Sequence, residues 1–126
     1  MIRRDIELMT AADLLSGHPE AFALHKKVEA AIMSIGPAKV IVSKSQNGFY
    51  RHHPFAATWR AGQYINGEVA PLVLSIYLKH RNNSLRWKEV IEAAPGHFTQ
   101  HLELRLLTDV DAFVRARLTE AWEEAA

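Results

Sequence analysis

The run Leu72-Val73-Leu74-Ser75-Ile76-Tyr77-Leu78-Lys79 constrains this chain more than any other stretch. Alternate residues of a strand point to opposite sides. Leu72, Leu74, Ile76 and Leu78 therefore line one face, and Val73, Ser75, Tyr77 and Lys79 line the other. Both faces are at least partly apolar, which suits a strand in the middle of a sheet. Such a strand needs neighbours on both edges and a cover over at least one face.

The neighbours are readable on either side. Residues 38–43 (Ala-Lys-Val-Ile-Val-Ser) form a β-branched run with strand character. Ser45-Gln46-Asn47-Gly48 offers turn chemistry, with Asn-Gly suited to positive φ, and residues 49–52 read as the returning strand. Pro54 interrupts the next pairing. Beyond it Phe55, Ala57 and Trp59 alternate with Ala56, Thr58 and Arg60, and both Phe55 and Trp59 are expected in the core. Residues 62–67 read as a loop. Residues 87–93 suit either a helical turn or a strand and are taken as a strand, followed by a Pro95-Gly96 turn. From 97 to 106, Phe98, Gln100, Leu102, Leu104 and Leu106 face away from His97, Thr99, His101, Glu103 and Arg105.

Helices flank these strands. Thr10-Ala-Ala-Asp13 resembles a capping box ahead of a short helix ending near Gly17. His18-Pro19 restarts a helix, proline losing a donor that would be orphaned there anyway. Leu24, Val28, Ala31 and Ile35, with Ala21 and Ile32 beside them, make one apolar stripe. Gly36-Pro37 ends it, with glycine expected in a left-handed cap. Thr108-Asp-Val-Asp111 opens a last helix over 109–122, where Trp122 is a packing anchor. The sum is a single α+β domain over 1–126: a mostly antiparallel sheet of about five strands, with N-terminal and C-terminal helices on one face. The other face is open and collects the polar alternates.

Composition narrows the classes. The chain has 48% hydrophobic and 23% charged residues, in the globular range. No apolar run approaches the ~20 residues of a spanning helix, and Met1-Ile2-Arg3-Arg4-Asp5 lacks an apolar segment behind its basic residues, so no signal peptide is read. Zero cysteines exclude disulfides, a thiolate nucleophile and sulfur-ligated zinc. A cytoplasmic protein without membrane association fits. Net charge is +1, yet eight Lys or Arg face a single acid, Glu68, between residues 39 and 88. A basic middle either concentrates anionic ligands or blunts strand edges.

The pattern Lys44-Ser45-Gln46, then Phe49, Phe55-Ala56 and Trp59, then Leu74, then His101-Leu102-Glu103-Leu104 before a helix resembles domain-of-unknown-function family 5655. The resemblance runs from about residue 18 to 125, and the C-terminal strand and helix are distantly similar to YdhG-like domains. It implies a fold and a set of matching positions, but no reaction.

The candidate site follows from the open face. His101 is expected near Ser75, Tyr77 and Lys79, with Tyr77 or Glu103 fixing its tautomer. Lys44 and Arg51 are expected to neutralise an anion, with Tyr77 packing and Gln46 and His101 giving direction. The expected ligand is a nucleotide-like, phosphate- or carboxylate-bearing molecule; a nucleic-acid strand is the weaker option, since no RNA-recognition consensus, helix-turn-helix or phosphate loop occurs. One alternative is an enzyme with His101 as general base and Lys44 stabilising an anion. Another is an interaction module that forms homo-oligomers through the open face or an edge strand. No cofactor is read and no metal site. His97 and His101 span ~13 Å on a strand and cannot close on one ion. Ser75, His101 and Glu103 carry the letters of a triad without its elbow or geometry, so no hydrolase is read.

Overall fold

The computed structural model describes residues 10–63 and 67–126. Residues 1–5, read for a signal peptide, and the middle of the 62–67 loop lie outside the described residues. Among the described residues, three α-helices, α1 (Ala11–Leu14), α2 (Pro19–Ile35) and α3 (Ala112–Glu124), flank β1 (Lys39–Val42), β2 (Asn47–Tyr50), β3 (Pro54–Trp59), β4 (Leu72–Leu78), β5 (Glu89–Ala94) and β6 (His97–Leu104) in chain order. The strands form one open antiparallel sheet in the order β1-β2-β3-β4-β6-β5. The fold is therefore α+β with six strands, one more than the rough count from sequence. β4 is central, as its two-sided apolar pattern demands. The ambiguous stretch after Trp87 is the edge strand β5, most of it exposed, which is why its periodicity is weak.

The α1 capping box is present: Thr10 Oγ1 accepts from the Asp13 N–H at 3.2 Å, and Asp13 Oδ2 accepts from the Thr10 N–H at 2.9 Å. In α2, Ala21, Leu24, His25, Val28, Ala31 and Ile32 form the buried stripe. Helix α3 starts later than expected. Asp111 is its cap, accepting from the Val114 N–H at 3.1 Å, after a 3-10 turn at Leu107–Asp109. Asp109 has a separate task, taking the Arg105 and Leu106 N–H groups at 2.8 and 2.9 Å. Strand β6 accordingly stops at Leu104, and Leu106 is 65% exposed rather than part of the inward face.

Helix α3 packs on β3 and β4, and α2 packs on β4 and α3. Beneath them lie Phe49, Phe55, Leu72, Leu74, Ile76, Leu102 and Leu104, each fully buried. Burying a side chain of this size contributes about 1.5–3 kcal/mol. Gln100 is a polar residue buried on this face, as are Thr58 and Asn47. Its Oε1 accepts from the Asn82 N–H at 2.9 Å and its Nε2 donates to the His80 carbonyl at 3.0 Å, so its burial is satisfied and it pins the β4–β5 connection.

Two local expectations are corrected. Asn47-Gly48 is strand, not turn; the turn is residues 43–46, with the Ser43 N–H donating to the Gln46 carbonyl at 2.9 Å. Asn47 is drawn inward to Thr58, and Gly48 gives space to the Tyr50 ring, whose Cε1 lies 2.9 Å from where a Cβ would sit. Gly36 is extended, with φ 171°, not left-handed. Its lack of a side chain serves Trp122, whose Cζ2 lies 2.4 Å from an added Cβ and whose indole N–H donates to the Pro37 carbonyl at 2.9 Å. Trp122 is thus the anchor its position suggested. Gly36→Ala must push the indole away and is expected to cost about 1–3 kcal/mol, read as a lower urea midpoint; an unchanged midpoint would show that Trp122 can move without loss.

Candidate functional site: a trough on the open sheet face

Register places the residues of the open face in rows. Ala57, Ser75, His101 and Glu89 stand opposite one another across β3, β4, β6 and β5. Trp59, Val73 and Glu103 form the row on one side, and Tyr77, Thr99 and Ile91 the row on the other. Rows on one face repeat every ~6.6 Å along a strand. Over them lies a cavity of about 810 Å³, lined on the sheet by Trp59, Ser75, Tyr77, Thr99 and His101. It is lined also by Gln46 from the β1–β2 turn, by Lys79, and by Glu124 and Ala125 from the end of α3. That volume is in the usual range for a small-molecule pocket.

The side chains in the middle are bonded to one another. The Trp59 indole N–H donates to Ser75 Oγ at 2.8 Å, and the same oxygen lies 2.7 Å from His101 Nδ1. The Trp59 and His101 rings meet edge-on, 5.5 Å apart and 80° between planes. Burial pushes the His101 pKa below the ordinary histidine value, with Glu89 pulling the other way. Burial, and Tyr50 nearby, push the Tyr77 hydroxyl upward, so it stays a neutral O–H donor at neutral pH. Lys79 is exposed and its ammonium belongs to no ion pair among the described residues, while its backbone N–H donates to Glu124 Oε1 at 2.8 Å.

The expected site residues divide. Gln46, Tyr77 and His101 line the trough together. Lys44 is exposed on the β1–β2 turn, beside the lining residue Ser45 but not itself in the lining. Arg51 is elsewhere: its guanidinium lies 3.6 Å over the Trp122 ring and donates to the Trp122 carbonyl at 3.2 Å. The cation in the lining is Lys79, which β4 alternation had already placed on this face. Trp59 is on the open face rather than in the core. A register shift between Phe49 and Tyr50, with Tyr50 opposite Pro54, leaves Phe55 to join the core while Trp59 keeps the parity of Ala57. Ser75, not Tyr77 or Glu103, holds the His101 ring, because Ser75 is the residue directly opposite it.

A second imidazole went unread in the sequence. His25, on α2, is fully buried beneath the opposite face. Its Nδ1 is 2.8 Å from Thr58 Oγ1, which also accepts from Asn47 Nδ2 at 3.1 Å. Burial holds its pKa below the ordinary value, with Glu29 pulling it up to a smaller extent and Lys26 pushing it further down. Cut off from solvent, it serves the interior. The signal was its i+4 step from Ala21 on the apolar stripe.

Among the described residues, His80, Glu120 and Glu124 bring possible metal-ligand atoms within 4.8 Å of one another. His80 Nε2 already lies 2.5 Å from Glu120 Oε2, and Arg117 Nε lies 3.2 Å from Glu120 Oε1. The hydrogen bond to Glu120 raises the His80 pKa, and the Arg117 guanidinium supplies positive charge at the same carboxylate. The group is an ion-paired cluster at the rim. Comparison of the chain with family models, curated proteins and solved structures finds no match.

Proposed function

We propose that this domain binds a small anionic molecule, carrying a phosphate or carboxylate, in the trough on its open sheet face. The observation that supports this most is the convergence of Tyr77, His101 and Gln46 on one cavity that also holds Lys79 and the partly buried Trp59. Hydroxyl, imidazole, amide and ammonium groups offer donors to an anion, and the aromatic surfaces cover an apolar body. Lys44, beside the rim, adds to the potential that draws an anion in. An enzyme using His101 as base with Lys44 beside a developing anion is less favoured, because Lys44 does not line the cavity.

The test is chemical-shift mapping of the labelled chain with a panel of small carboxylates and nucleoside monophosphates. Perturbations are expected at Tyr77, Thr99 and His101. The double variant Tyr77→Phe, His101→Ala should weaken the best binder by about tenfold or more, as loss of a hydrogen bond to a charged group implies. Its unfolding midpoint should fall, because His101→Ala leaves the buried Ser75 hydroxyl without its partner, so affinity is compared where both proteins are fully folded. Shifts clustering away from the trough, or affinity unmoved by the double variant, would sink the reading.

A further inference from the structure

We infer that Ser75 and Trp59 hold His101 as the neutral tautomer with its proton on Nε2, making the trough selective for ligands that present a bare acceptor oxygen. An indole N–H can only donate, so Ser75 Oγ is the acceptor in its 2.8 Å contact with Trp59. Ser75 is 2% exposed, so its own hydroxyl proton needs a protein partner. His101 Nδ1, at 2.7 Å, is the side-chain acceptor in reach.

If Nδ1 carried a proton, Ser75 would receive two N–H groups and its own O–H would be left buried without a partner. A buried donor left unmade is costly. The same objection applies to the imidazolium, in which both nitrogens are donors. Nδ1 is therefore bare, and the single proton of the neutral ring sits on Nε2. The ring lines the cavity, and its Nε2 makes no hydrogen bond among the described residues.

Two consequences follow. A nitrogen already carrying its proton cannot take another, so His101 is a donor and not a general base. A donor beside the Tyr77 hydroxyl rewards carboxylate, phosphate or carbonyl oxygen and rejects amines and amidines, whose N–H groups would face it. Ser75 and Trp59 are positioning residues: they act on a ligand only through the ring.

The ligand class rests on the binding reading above; the tautomer does not, so the two are tested separately. Long-range proton–nitrogen NMR on the ligand-free full chain near neutral pH reads the tautomer directly. Expected are a protonated Nε2 and a bare Nδ1 for His101. In Ser75→Ala the ring should relax toward a mixed tautomer, whereas Ser75→Thr, which keeps the hydroxyl, should restore it. A protonated Nδ1 in the unaltered protein would overturn the inference, whatever the variants do. Titration with benzoate and with benzamidine then reads the class. Benzoate should move the His101 Nε2 signal and benzamidine should leave it in place. Equal response to both would overturn the acceptor class. No response to either, with the tautomer as expected, would overturn the trough as a binding site for this class while leaving the tautomer standing.

Discussion

Thr58→Val lowers the stability of the domain by about 2–6 kcal/mol, since it strips two buried polar groups of their shared partner at about 1–3 kcal/mol each. Thr58 Oγ1 is the point where the Asn47 amide and the His25 ring meet. All three residues are fully buried. Among the described residues His25 Nε2 and Asn47 Oδ1 already lack a partner, so neither side chain has a second bond to hold it. The shape of the side chain is nearly unchanged, so the loss reads the hydroxyl. Thr58→Ser keeps the hydroxyl and removes a methyl, for about 1 kcal/mol. Urea unfolding of the two variants separates them. A valine variant no less stable than the serine one would mean that the cluster is solvated, or free to rearrange.

Acid is the second large perturbation. An unfolded chain takes up a proton at His25 near pH 6.5, the ordinary histidine value, while burial makes the folded ring resist it. Stability is therefore complete above that value and is lost as the pH falls toward the depressed folded value, levelling off below it. The slope is at most about 1.4 kcal/mol per pH unit for one such group. His101 adds a smaller loss of the same sign, being only half-buried. His80 works oppositely: its raised pKa gives stability that is present below the ordinary value and lost as pH rises through the folded one. Its side chain is 47% exposed, so solvent screens that contribution. Urea midpoints measured from about pH 8 down to about pH 5, above the carboxylate range, should fall with acid. A flat profile would mean that His25 takes up its proton in the folded state without resistance.

How far these features could be read in advance differs from element to element. β4 and β6 were legible because alternation alone assigns faces, and nothing nearby breaks their parity. That put Tyr77 and His101 on one side without any knowledge of strand order. Trp59 was misplaced for want of the shift at Tyr50, which lets Phe55 and Trp59 part company despite their even spacing. Asn47-Gly48 has strong local turn chemistry, and tertiary partners override it: an amide called inward by Thr58 and a ring lying over the glycine. Lys44 and Arg51 were placed by type of residue. The direction of a turn and the pull of Trp122 are set by contacts far along the chain, and no local pattern carries them.

The helices lean on β3 and β4, and β5 carries exposed residues on both of its sides. Protection from solvent therefore grades across the sheet from its middle to this margin, and so does the free energy of local opening. Of β5, Val90 packs against the buried cluster, so lifting β5 from β6 costs that contact with the layer under the helices. When β5 lifts, Glu89 leaves its place opposite His101 and the pull it exerts on that ring goes with it. Fraying at the least protected edge of the domain is in this way written into the proton affinity of the imidazole at its centre.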